Sequence, residues 1–420
     1  MTFTASRWQV SLCLVVLASV LVMAGCGAET GVEPAPTATN TQEPAAASEV
    51  PSPTPSPEIT LQPTDSDSDL SIPMTSPDYG VQAFLFWQEE VADRDLRLIE
   101  EAGFRWVKQE FAWREIEGAG KGQFDWSKAD RLVEQIDARG LHIIARVGVQ
   151  PAWAGGNYPE VSPPEDMQDF ADFLTALATR YRGRIAAYQI WNEPNLAREW
   201  GENPPNPAEY TELLKLSYEA VKKADPAAYV ISAGLAPTTR WDDVAVPDTV
   251  YLQGMYEAGA APYFDLLGVH GAGYKVSPQT APEEVASSPE LNNHDPSSEE
   301  LRRIYCFRHV EDMRAVMVAH GDEAKRVVLL EFGWTTDPRA GSPYKWHAVT
   351  EEQHAQYLVD AYAYARENWQ PWIAVMSLIY MPDSQWGLED EQTFWSIIYP
   401  GYPELRMRTA YMSLKAMPKE

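Results

Sequence analysis

From residue 77 onward, the chain alternates between short apolar runs and longer stretches in which apolar residues return every three to four positions. The short runs, at 79–86, 104–109, 141–149, 185–191, 229–233, 264–269, 326–330 and 372–380, have strand length and favour β-branched and aromatic residues. The longer stretches, near 93–102, 127–139, 164–181, 207–224, 249–258, 298–320, 351–368 and 404–416, carry the periodicity of amphipathic helices. Strands such as HIIARV and RVVLL read as apolar runs rather than strict alternations, as expected of parallel strands covered on both faces. Eight strand and helix units over about 340 residues predict a single (β/α)8 barrel rather than a doubly wound sheet, and no glycine-rich phosphate loop follows the first strand. Such a barrel places chemistry just past the C-terminal ends of its strands.

The first 76 residues follow another pattern. An apolar run from Val10 to Met23 follows a single cation, Arg7, and ends in Ala24, Gly25 and Cys26. It is too short for a confident spanning helix and resembles a bacterial lipoprotein signal in which Cys26 becomes the lipidated first residue. Met23 stands where leucine is usual in that signal. Residues 27–76 are Pro, Thr, Ala and Ser with eight acidic residues and no Lys or Arg, a composition that stays extended and forms no core. The expected organisation is a signal at 1–26, a linker at 27–76 and the barrel at 77–420, exported and tethered outside the cytoplasmic membrane. Cys306 is the one cysteine of the barrel segment, so no disulfide forms within it, and its apolar setting predicts a buried residue.

Charge narrows the function. Thirty-three Lys and Arg against 61 Asp and Glu give a net charge of −28, which repels nucleic acid and anionic lipid, so membrane contact is expected through the lipid alone. Fifteen Trp and 20 Tyr exceed the needs of a core and suit a surface that stacks on sugar rings. The fourth strand leads into Trp191-Asn192-Glu193-Pro194-Asn195 and the seventh into Leu330-Glu331-Phe332-Gly333-Trp334, which sets a glutamate at each strand end. Two carboxylates facing each other across a barrel mouth are the equipment of glycoside hydrolysis.

Those two motifs, in that order and on those strands, resemble clan A glycoside hydrolases, particularly family 39 and family 5-like members. The resemblance extends through Phe111-Ala112-Trp113, Gly122-Gln123-Phe124-Asp125-Trp126 and Trp386-Gly387-Leu388. It implies Glu193 as acid/base, Glu331 as nucleophile, retention of anomeric configuration, and Asn192 on the sugar 2-hydroxyl. His270 and Tyr274 match the clan's sixth-strand motif, with His270 expected to orient Glu331. Trp153, Trp334 and Trp386 are the best placed sugar platforms, and Trp113 and Tyr380 are further candidates. Lys108, where relatives often carry arginine, and Arg146 are expected at hydroxyls or beside a carboxylate. Two-carboxylate chemistry needs no metal or other cofactor, and no HExxH, Cys/His cluster or EF-hand loop is present. No obligate protein partner is implied. The segment 271–297 reads either as one wall of the cleft or as a surface insert. A carbohydrate-binding lipoprotein that kept the barrel but lost turnover is the competing expectation.

Overall fold

The computed structural model describes residues 73–155 and 161–419. Cys26, the signal and almost all of the linker therefore lie outside the described residues. Eight parallel strands close into a barrel in sequence order: β1 (Asp78–Gln82), β2 (Trp106–Ala112), β3 (His142–Gly148), β4 (Ile185–Ile190), β5 (Tyr229–Ile231), β6 (Leu266–Ala272), β7 (Arg326–Gly333) and β8 (Ile373–Leu378). Each of the eight expected runs is a strand. The fold is a (β/α)8 barrel. No helix among the described residues is long and apolar enough to cross a membrane.

The continuous apolar runs follow from two buried faces. One set of side chains packs outward against the helices, through residues such as Val107, Ile143, Val269 and Leu329. The other fills the barrel interior, where Trp106, Ile144, Ala187, Ile231, Leu266, Val328, Leu330 and Val375 form one cluster. Strand side chains alternate between faces, so the inward set continues up β2 from Trp106 to Lys108 and Glu110, and up β3 from Ile144 to Arg146. Register pairs Lys108 with Ile144 and Glu110 with Arg146. The apolar plug thus gives way to charge at the C-terminal end.

Two helices differ from expectation. The stretch 298–320 contains Glu299–Arg302 and Val310–Ala319, separated by a turn and a 3-10 segment. Ile304, Tyr305, Cys306 and Phe307 are consecutive and all buried, which a helix with one covered face does not achieve; extended backbone at Cys306 does. The last helix is Thr409–Ala416, shorter than the expected 404–416. Cys306 is buried, as its apolar setting implied, and burial pushes its thiol up to about 12. Within 271–297 a short helix, Pro282–Ser287, starts on a proline, so this segment has structure of its own.

A buried charge relay ties two outer helices together. His309 Nε2 lies 2.8 Å from Asp248 and its Nδ1 lies 3.0 Å from Asp312, which also receives Arg303. Burial alone would depress the imidazolium, but the two carboxylates outweigh it and hold its pKa up at about 10. The folded value lies above the unfolded value of about 6.5, so this contribution is complete below pH 6.5 and is lost as pH rises toward 10. Replacing His309 with Leu leaves the fully buried Asp248 without its counter-charge, at an expected cost of about 3–5 kcal/mol. Thermal unfolding checks this: the parent's advantage over His309→Leu should be largest below pH 6.5 and narrow toward pH 10.

Candidate active site

The mouth of the barrel is organised around Glu193 and Glu331, both buried. Side chains on β7 alternate, so with Val328 and Leu330 turned inward a regular strand would send Glu331 outward. A register shift between β6 and β7 prevents this: Val269 pairs with Leu329, but His270 pairs with Glu331. The extra residue returns Glu331 to the interior, as bulges next to active sites do. Glu193 is aimed by strain instead. Trp191 and Glu193 adopt φ of 67° and 43°, left-handed values that cost about 1–3 kcal/mol each and persist only where the surroundings enforce them. The enforcing contacts are a bond from Glu193 N–H to the Gly234 carbonyl at 3.0 Å and the buried Asn195 amide, which donates to the Ala236 and Val246 carbonyls and accepts from Ala236 N–H.

His270 stands between the two glutamates. Its Nδ1 is 2.9 Å from Glu193 Oε1 and 3.9 Å from Glu331 Oε2. One oxygen from each carboxylate and one ring nitrogen all lie within 4.8 Å of one another. A Cβ at Gly234 would meet the imidazole at 2.2 Å, so a glycine is needed there to let the ring sit against the β5 loop. His270 was expected to serve Glu331, but its short contact is with Glu193.

Cations surround Glu331. Lys108 Nζ donates to its Oε1 at 2.9 Å and to the Leu330 carbonyl at 3.3 Å. Burial raises the Glu331 pKa, but Lys108, His270 and Arg146 outweigh it and hold the carboxyl down at about 2. Glu331 is therefore an anion throughout the working pH range, which suits a nucleophile. Arg146 lies 3.5 Å from Glu110. Lys108, Arg146 and Glu110 line a pocket with Gln82, Ala83 and Phe84.

The aromatic candidates divide. Phe84, Tyr380 and Trp386 pack edge-on with ring centroids 4.8–5.6 Å apart; Phe84 lines that pocket and Trp386 is half-buried, whereas Tyr380 is fully enclosed, which corrects its expectation as a sugar platform. Trp113 and Trp334 correct the expectation of a sugar platform: both are fully enclosed. The Trp113 indole donates to Glu117 and stacks on Phe173, whereas that of Trp334 donates to the Val276 carbonyl. Trp153 is half-buried, edge-on to Trp113, with its N–H on the Glu117 carbonyl, so it too belongs to packing. Tyr274 joins Tyr305, Trp346 and His347 in a separate aromatic cluster rather than reaching the glutamates. Asn192 is buried beside Glu193, with Gln189 3.4 Å from its carbonyl oxygen.

Arg198 and Glu199, five and six residues past Glu193, escaped the sequence reading. Arg198 donates to Glu193 Oε2 at 3.1 Å, and its Nε is 3.5 Å from Glu199. Their only signal was two charges inside an otherwise buried turn. Burial, reinforced by the negative field of Glu193, raises the Glu199 pKa to about 7 against the pull of Arg198 and Arg146. A carboxyl whose folded pKa exceeds its unfolded value costs stability as pH rises through the interval from 4.5 to 7. Glu199→Gln is therefore expected to match the parent's Tm at pH 4 and exceed it at pH 8, a gain of at most about 3 kcal/mol. Thermal melts at the two pH values check it.

Comparison with known proteins is consistent with this architecture. A family model for β-galactosidases of glycoside hydrolase family 42 matches residues 83–173, a segment that ends before Glu193. No curated protein sequence matches the chain. Among solved structures, a family 39 glycoside hydrolase from Bacteroides cellulosilyticus WH2 is 18% identical with a TM-score of 0.55, over 82% of this chain and 64% of that one. A glucosidase from Croceicoccus marinus is 12% identical, TM-score 0.57, over 83% and 69%. An exo-β-1,4-mannosidase from Opitutaceae bacterium strain TAV5 is 16% identical, TM-score 0.53, over 81% and 59%. The chain thus spans less than two thirds of the length of the first and third. At these identities the structures establish the barrel fold. The family match, confined to residues 83–173, is to a glycoside hydrolase family.

Proposed function

We propose that the protein is a retaining β-glycosidase of an oligo- or polysaccharide. The observation that carries this reading is the buried pair Glu193 and Glu331, raised from β4 and β7 to within 4.8 Å with His270 between them. Double displacement uses carboxyls about 5–5.5 Å apart, whereas inversion requires about 6.5–9.5 Å to admit a water between them. Glu331, kept anionic by Lys108, attacks the anomeric carbon while Glu193 protonates the departing oxygen. The glycosyl ester on Glu331 is then hydrolysed by water that Glu193 deprotonates. Asn192, beside Glu193, is the group for the 2-hydroxyl, and Phe84 and Trp386 wall the side on which the glycone rests. A signal ending at Cys26 and an acidic linker at 27–76 fit a lipid-tethered enzyme working on carbohydrate outside the cytoplasmic membrane.

Product release from a panel of neutral and acidic polysaccharides and aryl β-glycosides, with purified protein, tests the reading and identifies the sugar. Release of reducing sugar from at least one substrate is expected. Ligand binding without product over long incubation would instead favour a carbohydrate-binding protein.

A further inference from the structure

We infer that Trp241, with Arg198, forms a leaving-group subsite that stacks on the sugar ring departing from Glu193. The inference rests on the glycosidase reading and adds where, and on what, the second sugar is held. Glu193 Oε1 faces His270, which also approaches Glu331, whereas Oε2 faces Arg198 and so marks the side of the acid/base turned away from the nucleophile. The leaving sugar therefore enters on the side of residues 195–199.

That segment is stitched to the loop after β5. Ala197 N–H donates to the Val244 carbonyl at 2.8 Å, Val246 N–H donates to the Asn195 carbonyl at 3.0 Å, and Leu196 and Ala245 form an antiparallel bridge. The turn leading into this bridge is built firmly: Asp242 accepts from Val244 N–H, Ala245 N–H and the Arg240 guanidinium. Trp241 stands at its tip with 64% of its surface exposed, and Val244 in the same turn is 46% exposed. Among the described residues no ring contact or hydrogen bond engages this indole, although the backbone carrying it is held to the acid/base loop. An amphipathic ring at low entropic cost on a fixed loop is the chemistry that stacks on the C–H face of a neutral pyranose. With the glycone assigned to the pocket that Phe84 lines beside Trp386, Trp241 is left for the other half of the bond.

The test compares two substrates of the same glycone: the oligosaccharide identified in product screening, and the glycosyl fluoride, whose leaving group carries no sugar. For Trp241→Ala, kcat/KM on the oligosaccharide should fall about 10-fold or more, mostly through KM, with the fluoride within about 2-fold of the parent and Trp241→Phe recovering much of the loss. Equal losses on both substrates, or no loss on either, overturn the subsite while leaving the hydrolase reading intact. A parent that cleaves neither substrate overturns that reading, and the subsite falls with it.

Discussion

Glu331→Gln is expected to lower kcat by at least about 10⁴-fold on every substrate, the scale of losing a catalytic nucleophile. That is about 5 kcal/mol of barrier or more. Gln keeps the shape and can still accept from Lys108, so loss of activity with a retained thermal transition separates chemistry from folding. KM should change little. The low Glu331 pKa adds a second expectation: since the carboxylate is ionised down to about 2, the acid limb of the pH–rate profile does not come from the nucleophile. Steady-state kinetics from pH 4 to 9, beside a melt of each protein, check both points. A variant that retains parental turnover contradicts the assignment.

Glu193→Ala should behave differently, and the difference identifies its role. A sugar leaving group needs a proton, so kcat/KM on the natural linkage should fall about 10²–10⁴-fold. A dinitrophenyl leaving group departs without one, so formation of the glycosyl enzyme from an activated aryl glycoside should stay near the parental rate. Breakdown of that intermediate then lacks its base, and added azide should restore turnover by attacking directly, releasing a β-glycosyl azide. Activity on the aryl glycoside also shows that the variant folds, although the substitution removes the Glu193 contacts of Arg198 and His270. Uniform loss on both substrates with no azide rescue would contradict an acid/base role.

The pattern along the chain exposes the barrel because its strands are covered on both faces and its helices on one, and each condition leaves its own period. The two glutamates were legible for the same reason, as the only acids set where an apolar run stops at β4 and β7. Pointing them inward was not: Glu331 depends on a register shift, and Glu193 on a left-handed turn that Asn195 and Gly234 secure across the β5 loop. Tryptophan misled because the same indole serves packing and sugar contact. Trp113 and Trp334 lie next to motifs yet are enclosed, whereas Trp241 has no motif and is exposed. Arg198 and Glu199 left only a pair of adjacent charges in the sequence, because their meaning lies in proximity to Glu193, which a linear reading of charge does not report.

The most direct test of the two-carboxylate account is the configuration of the first product. Proton NMR of the anomeric region during the opening minutes of hydrolysis, before mutarotation, distinguishes the mechanisms. With Glu193 and Glu331 acting by double displacement, the β anomer appears first and the α anomer follows slowly. Initial release of the α anomer from a β-glycoside would mean single displacement by water and would contradict a covalent intermediate on Glu331.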